Sequence, residues 1–334
     1  MHAAPASSPS PKPLLSEALA TLNAEMLEVD AVIGRRLGSD VALINQIAGY
    51  IVHAGGKRIR PKLVLLFANA LGYDKPERFE LAAVIEFIHT ATLLHDDVVD
   101  ESSLRRGKQT ANALFGNAAS VLVGDFLYSR AFQMMVSVNR MRVLEVLAEA
   151  TNVIAEGEVL QLMNMHDPDI TVDSYLRVIR YKTAKLFEAS ARLGAVLADA
   201  SPEVEEACAG YGRALGTAFQ LIDDVLDYEG DSQALGKNVG DDLREGKTTL
   251  PLLIAMERGS PEQRTLIRHA IEHGELERLS EIVEIVRTTG ALEATREAAR
   301  AEAKLARDCL NLLPASKWQE SLLEFAAQSV ERSF

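Results

Sequence analysis

The chain has 334 residues, 48% of them hydrophobic, and a formal net charge of −13. That apolar share furnishes a sizeable core, and the acidic balance excludes nucleic acid as the main partner, because no net basic surface offsets phosphate repulsion. The two cysteines, Cys208 and Cys309, have neither metal-ligand spacing nor a disulfide framework, which points to a reducing cytoplasm.

Residues 1–13, MHAAPASSPSPKP, are rich in Pro, Ser and Ala and are expected to form a disordered tail rather than a signal peptide. From 14 to 334 the pattern predicts a single all-helical domain. Breaks fall at 34–39, 55–56, 72–76, 167–169, 201–202, 230–246 and 259–261, and segments of helical length lie between them. Val143, Val146, Leu147, Ile154 and Leu162 keep a helical period, whereas alternating β-branched runs are absent. The longest apolar runs, 63–68 and 250–256, are far short of the roughly 20 residues that span a bilayer. A soluble protein is expected.

The chemistry is also best taken along the chain. Gly55-Gly56-Lys57-Arg58-Ile59-Arg60-Pro61 joins a flexible pair to a cation cluster and a proline suited to open a helix. Lys and Arg in such a loop suit a diphosphate, Arg as a fork, although a solvated turn reads the same way. Next comes Asp96-Asp97-Val98-Val99-Asp100, inside an apolar helical stretch. Thr92 and Asp100 lie within about 40° of Asp96 on the helix wheel, and His89 and Ile85 within about 20°. One face thus carries carboxylates at one end and uncharged residues deeper down, as an elongated substrate with a charged head and an apolar tail requires. Leu104-Arg105-Arg106-Gly107 follows, with a cation pair placed to neutralise phosphate.

Lys182 and Thr183 sit inside a predicted helix, where a lysine is more often solvated than functional. Asp223-Asp224-Val225-Leu226-Asp227 then repeats the first acidic spacing. A lone cluster of this kind reads equally as an acidic helix end. Two clusters embedded among Leu, Val and Ile are another matter, because burying them without cations is prohibitively unfavourable. Two such faces turned toward each other would hold hard divalent cations through oxygen, the chemistry Mg²⁺ prefers. A polyphosphate is the natural partner of such ions. Gly236-Lys237 and Gly246-Lys247 frame a loop able to close over it. His95 reads more simply as a hydrogen-bonded core histidine than as a ligand, and Gln220 as either a cavity or a packing residue.

The ordered motifs GGKRIRP, HTATLLHDDVVDESSLRRG, EGEVLQL, YKTA, GTAFQLIDDVLDYEG and GKNVGDDLREGKTTLP resemble those of the trans-type polyprenyl diphosphate synthases. The similarity covers residues 15–334 and is strongest to the bacterial octaprenyl enzymes that make the ubiquinone side chain. The resemblance implies an antiparallel all-α bundle around a deep central cavity, usually a cytoplasmic homodimer, with at most peripheral membrane contact for product release. It implies Mg²⁺, about three ions per site, and condensation of an allylic diphosphate such as farnesyl diphosphate with successive isopentenyl diphosphates. By position, Asp96 and Asp100 would bind two ions with support from Asp97; Asp223 would hold a third, with Asp224 and Asp227 completing that cluster. Lys57, Arg60, His89 and Arg106 would grip isopentenyl diphosphate. Arg105, Lys182, Lys237 and Lys247 would contact the allylic diphosphate, and Thr183 and Gln220 would border the reacting carbons.

Product length follows from the same resemblance. Short-chain relatives block the cavity with an aromatic four or five residues before the first Asp, and here those positions are the small Thr92 and Ala91. A tunnel running past this level implies a long product, with Ile88 on its wall and Phe132 or Met135 as its floor. The wheel turns Ala91 roughly 140° from Asp96, so its place depends on packing. Geranylgeranyl and nonaprenyl products are the alternatives within the family. An HD-type metal phosphohydrolase would explain His95-Asp96 alone, and a silent subunit of a heteromeric synthase would be expected to lack carboxylates from one cluster.

Overall fold

A computed structural model describes residues 13–52, 55–105, 107–229 and 240–331. Arg106, Lys237 and residues 1–12 lie outside the described residues. The chain runs through helices α1 (Pro13–Leu37), α2 (Ala42–Val52), α3 (Ile59–Ala70) and α4 (Glu77–Val99). After a small hairpin, β1 (Leu104–Arg105) and β2 (Lys108–Gln109), come α5 (Ala111–Phe115), α6 (Asn117–Ser137), α7 (Met141–Asn164) and α8 (Val172–Ile179). A π-helical turn, Arg180–Ala184, leads into α9 (Lys185–Leu197), and α10 (Pro202–Glu229) follows. The rest is helical again: Asp241–Arg244, Leu250–Arg258, Pro261–His273, Leu279–Thr288, Ala291–Cys309 and Lys317–Val330.

The all-helical expectation holds; the expected breaks at 72–76 and 167–169 fall between helices, and those at 201–202 and 259–261 end on Pro202 and Pro261, which open the helices that follow. Two details differ. Gly34 lies within α1, and the antiparallel pairing of Leu104 with Gln109 and Arg105 with Lys108 was not anticipated. Ladders this short carry no alternating pattern to read.

The consecutive apolar run from Leu63 to Ala68 on α3 is buried throughout, so this helix is wrapped by neighbours on every side. It packs along α9 and α4, while α4 packs along α6 and α10 along both α9 and Ala291–Cys309. Gly212 and Gly216, one turn apart on α10, make the α9 contact possible. A Cβ at Gly212 would lie 2.3 Å from the Phe187 carbonyl oxygen, and one at Gly216 2.6 Å from the Ala184 backbone. The main core gathers Phe67, Ile85, Leu94, Leu147, Phe187 and Tyr211. A second apolar cluster, with Val225, Leu252, Ile267 and Ile282, supports the far end of α10. The arrangement holds the ends of α4 and α10 rigidly beside one cavity. No helix among the described residues is long and apolar enough to cross a membrane.

Candidate active site

The cavity has a volume of about 940 Å³. Asp96 and Asp100 from α4 line it together with Asp223, Asp224 and Asp227 from α10. Lys57, Arg60, His89, Thr92, Arg105, Lys182, Thr183, Gln220 and Lys247 share the same wall, so residues dispersed over two hundred positions converge. Its apolar lining includes Leu93, Ile154, Ile179, Leu186 and Phe219. One concavity therefore joins a charged mouth to a greasy interior.

Each wall is oriented by specific neighbours. Asp96 and Asp100, one helical turn apart, face the cavity, which turns Asp97 about 100° away. Asp97 is only 1% exposed, and its Oδ1 accepts from Arg105 Nε at 2.9 Å and Nη2 at 2.7 Å. Asp97 thus anchors the hairpin arginine and does not line the cavity beside Asp96. Lys247 Nζ lies 3.1 Å from Asp100 Oδ2 and 2.6 Å from Glu245 Oε2. Burial alone would lower its pKa, but the carboxylates of Asp242, Asp100 and Glu245 together raise it. The lysine is firmly cationic.

Lys182 and Thr183 occupy the π-helical turn, a wider coil that re-aims side chains where it interrupts an α-helix. Gly157 on α7 permits it: a Cβ there would meet the Lys182 backbone nitrogen at 2.6 Å. Lys182 Nζ sits 2.6 Å from Glu158 Oε2 and 3.9 Å from Asp96 Oδ2. Burial, with the charges of Asp96 and Asp100, pushes the Glu158 carboxyl up to about 7 despite the lysine. Burial likewise raises the Asp96 carboxyl, opposed by Lys182 and reinforced by Asp100.

On α10 a chain of hydrogen bonds runs inward. Thr183 Oγ1 donates to Gln220 Oε1 at 3.0 Å, and Gln220 Nε2 donates to Asp224 Oδ1 at 2.8 Å. The Tyr175 hydroxyl donates to Asp224 Oδ2 at 2.5 Å. Burial and the nearby Asp242 push the Asp224 carboxyl up to about 8, against these donors. Asp224 therefore behaves as a buried anchor as well as a cluster member. Asp227 Oδ2 accepts from the Asp242 backbone N–H at 3.4 Å. At the opposite rim Arg60 lies 3.3 Å from His89 Nε2 and stacks 4.3 Å over the Phe187 ring.

Several expected positions fall elsewhere. Ala91, Ile88 and Met135 are fully buried in the core and do not line the cavity. Phe132 is 38% exposed and packs on Tyr128 with ring centroids 5.7 Å apart, so it forms no floor to the cavity described. Only Thr92 of the length-determining candidates borders it. His95 faces α6, with Nε2 3.3 Å from Asp125 Oδ1, which separates it from the acidic site and removes the basis of an HD-type reading. Glu158 and Tyr175 escaped the sequence reading. Glu158 carried a signal in EGEVLQL, beside the close-packed Gly157; Tyr175 carried none.

The donor set suits hard cations. It is all carboxylate oxygen, and Asp100 Oδ1 is buried without a hydrogen-bond partner. The walls are not gathered around a single point. Among the described residues, the only trio of metal-capable side chains with ligand atoms within 4.8 Å of one another is the exposed His269, Glu272 and His273.

Opposed carboxylate walls, a ring of cations and an apolar interior within a helical bundle define an enzyme that handles a prenyl diphosphate. Residues 41–288 match the polyprenyl synthetase family, and the chain belongs to that family. It is 59% identical over 309 residues to the octaprenyl diphosphate synthase of Escherichia coli strain K12, covering 92% of this chain and 96% of that protein. It is 45% identical over 315 residues to the all-trans-nonaprenyl-diphosphate synthase (geranyl-diphosphate specific) of Rhodobacter capsulatus, covering 94% and 97%. A Caulobacter crescentus CB15 polyprenyl synthase solved with calcium and isoprenyl diphosphate superposes with a TM-score of 0.92 at 47% identity, over 97% of this chain and 99% of that one.

Proposed function

We propose that the chain is a magnesium-dependent synthase that extends farnesyl diphosphate with successive isopentenyl diphosphates to all-trans octaprenyl diphosphate, the C40 precursor of a quinone side chain, in the cytoplasm. One observation carries the reading: both acidic walls, their cations and an apolar interior line a single cavity. The octaprenyl product takes its support from the 59% identical relative. Asp96 and Asp100 would hold two Mg²⁺ and Asp223 a third. Bound there, the ions supply electrostatic stabilisation of the departing diphosphate.

The protein's own groups account for the remaining steps. Lys182, Lys247 and Arg105 stand at the mouth, where negative charge builds as the allylic C–O bond ionises. The oxygen dipoles of Thr183 and Gln220 border the allylic fragment as it turns positive. Lys57, Arg60 and His89 hold isopentenyl diphosphate, whose double bond attacks the allylic carbon. The new tertiary cation loses a proton to the departed diphosphate, which leaves a chain one isoprene unit longer.

A homodimer forms part of the proposal. Val121, Leu122 and Val136 on α6, with Met141, Leu162 and Met163 on α7, are exposed apolar side chains that a second copy would cover. The direct experiment incubates purified protein with farnesyl diphosphate, labelled isopentenyl diphosphate and Mg²⁺ and measures product length. A C40 product is expected. A product of C20 or less contradicts the subclass, and phosphate release without a new C–C bond contradicts the class.

A further inference from the structure

Gln220 is useful to a forming cation only in one of its two amide orientations. With Oε1 beside Thr183 it presents a partial negative charge at the cavity wall; turned by 180° it presents an N–H₂ group, which repels positive charge. One contact selects the first orientation: Asp224 Oδ1 accepts from Nε2 at 2.8 Å, whether the carboxyl is charged or carries its proton on Oδ2. The Thr183 hydroxyl, which can give or take a hydrogen bond, then donates to Oε1 at 3.0 Å. Asp224 can enforce this only if its own carboxylate plane is fixed. Its second oxygen is held at 2.5 Å by the Tyr175 hydroxyl, on a different helix.

Tyr175 is 4% exposed and packed among Ile179, Leu221 and Leu226. A buried hydroxyl in such surroundings needs a partner, and its partner is this carboxylate. The sequence Tyr175, Asp224, Gln220, Thr183 is thus an unbroken chain from the core to the reacting carbons.

We propose that Tyr175 is a positioning residue for the prenyl transfer: it locks Asp224, and through it the Gln220 amide, with the carbonyl oxygen on the cavity side. The role rests on the synthase reading above. It leaves the grip on the two diphosphates to other residues, so it belongs to kcat and not to KM.

The test is a double-mutant cycle of Tyr175→Phe and Gln220→Leu, with each rate expressed per folded chain as judged by heat unfolding. Tyr175→Phe keeps the ring and removes one oxygen. In the wild-type background it lowers kcat about tenfold and leaves both KM values within about twofold, the size expected for losing one oriented dipole. In the Gln220→Leu background the same substitution changes kcat less than about twofold, because the amide it orients is gone. Equal losses in both backgrounds, or a rise in KM with kcat intact, overturn the proposal. A wild-type chain that does not elongate the primer overturns the synthase reading and this role with it, whereas elongation with additive losses overturns this role alone.

Discussion

The two acidic walls share one spacing and differ in nearly everything around it. On α4, Asp97 is clasped by Arg105, Asp96 has Lys182 at 3.9 Å, and Asp100 has Lys247 at 3.1 Å, so cations from three separate segments attend this wall. On α10, Asp224 is set by the neutral donors Tyr175 and Gln220, and Asp227 by a backbone N–H. Four residues before each first aspartate the walls differ again: Thr92 on α4 and Phe219 on α10, both bordering the cavity. The α4 wall therefore carries counter-charges held in ion pairs, and the small Thr92 stands where the α10 wall presents the ring of Phe219. Identical motifs acquire distinct duties from what packs against them.

The comparison is broken most severely at the carboxylates that face the cavity. Asp96→Asn and Asp223→Asn should each lower kcat by about 10³-fold or more, since either removes a cation site at the leaving group. Asp97→Asn should cost less, about 10²-fold, through a misplaced Arg105, and single-turnover rates separate the two cases. Lys247→Met removes a counter-charge from the α4 wall alone and should lower kcat about 10²-fold.

A change of shape comes next. Thr92→Phe gives the α4 wall the aromatic that α10 already has, filling volume in a packed wall, and chain-length analysis should show products shortened to about three or four isoprene units. Unchanged C40 product would place the path of the growing chain elsewhere.

The smallest effect concerns Glu158. Its carboxyl titrates near 7 in the folded chain against 4.5 ordinarily, so between those values the folded state holds a proton that the unfolded chain has released. Stability from this group falls as pH rises from 4.5 to 7 and stays reduced above. Glu158→Gln abolishes that fall. Denaturant unfolding of metal-free protein should find the variant gaining about 1–2 kcal/mol on wild type between pH 5 and pH 8, after allowance for partial solvent screening.

Much of this was legible in residue spacing. Periodicity gave the helical class, and repeated carboxylates at i and i+4 in apolar surroundings announced paired faces. Cations beside glycines marked the rim. What spacing leaves open is the azimuth of a residue against its neighbours. Asp97 turns away from the cavity into Arg105, and Asp224, while still lining it, is held by Tyr175, which only tertiary packing decides. Ala91 failed as a wall residue for the same reason, and the wheel angle of about 140° from Asp96 had already warned of it. Phe132 was expected as a floor by family resemblance, yet it faces outward. Glu158 and Tyr175 act through partners more than twenty positions away, and no local pattern encodes such a pairing.

The proposed reaction requires Mg²⁺, which the two acidic clusters would hold and which would supply charge stabilisation at an allylic diphosphate. Calorimetric titration with an allylic analogue whose bridging oxygen is sulfur, with Mg²⁺ and then with EDTA, measures this directly. Binding should tighten about 100-fold or more with Mg²⁺, and Asp96→Asn or Asp223→Asn should each erase most of that gain. Equal affinity with and without the metal, or a gain untouched by either substitution, would contradict it.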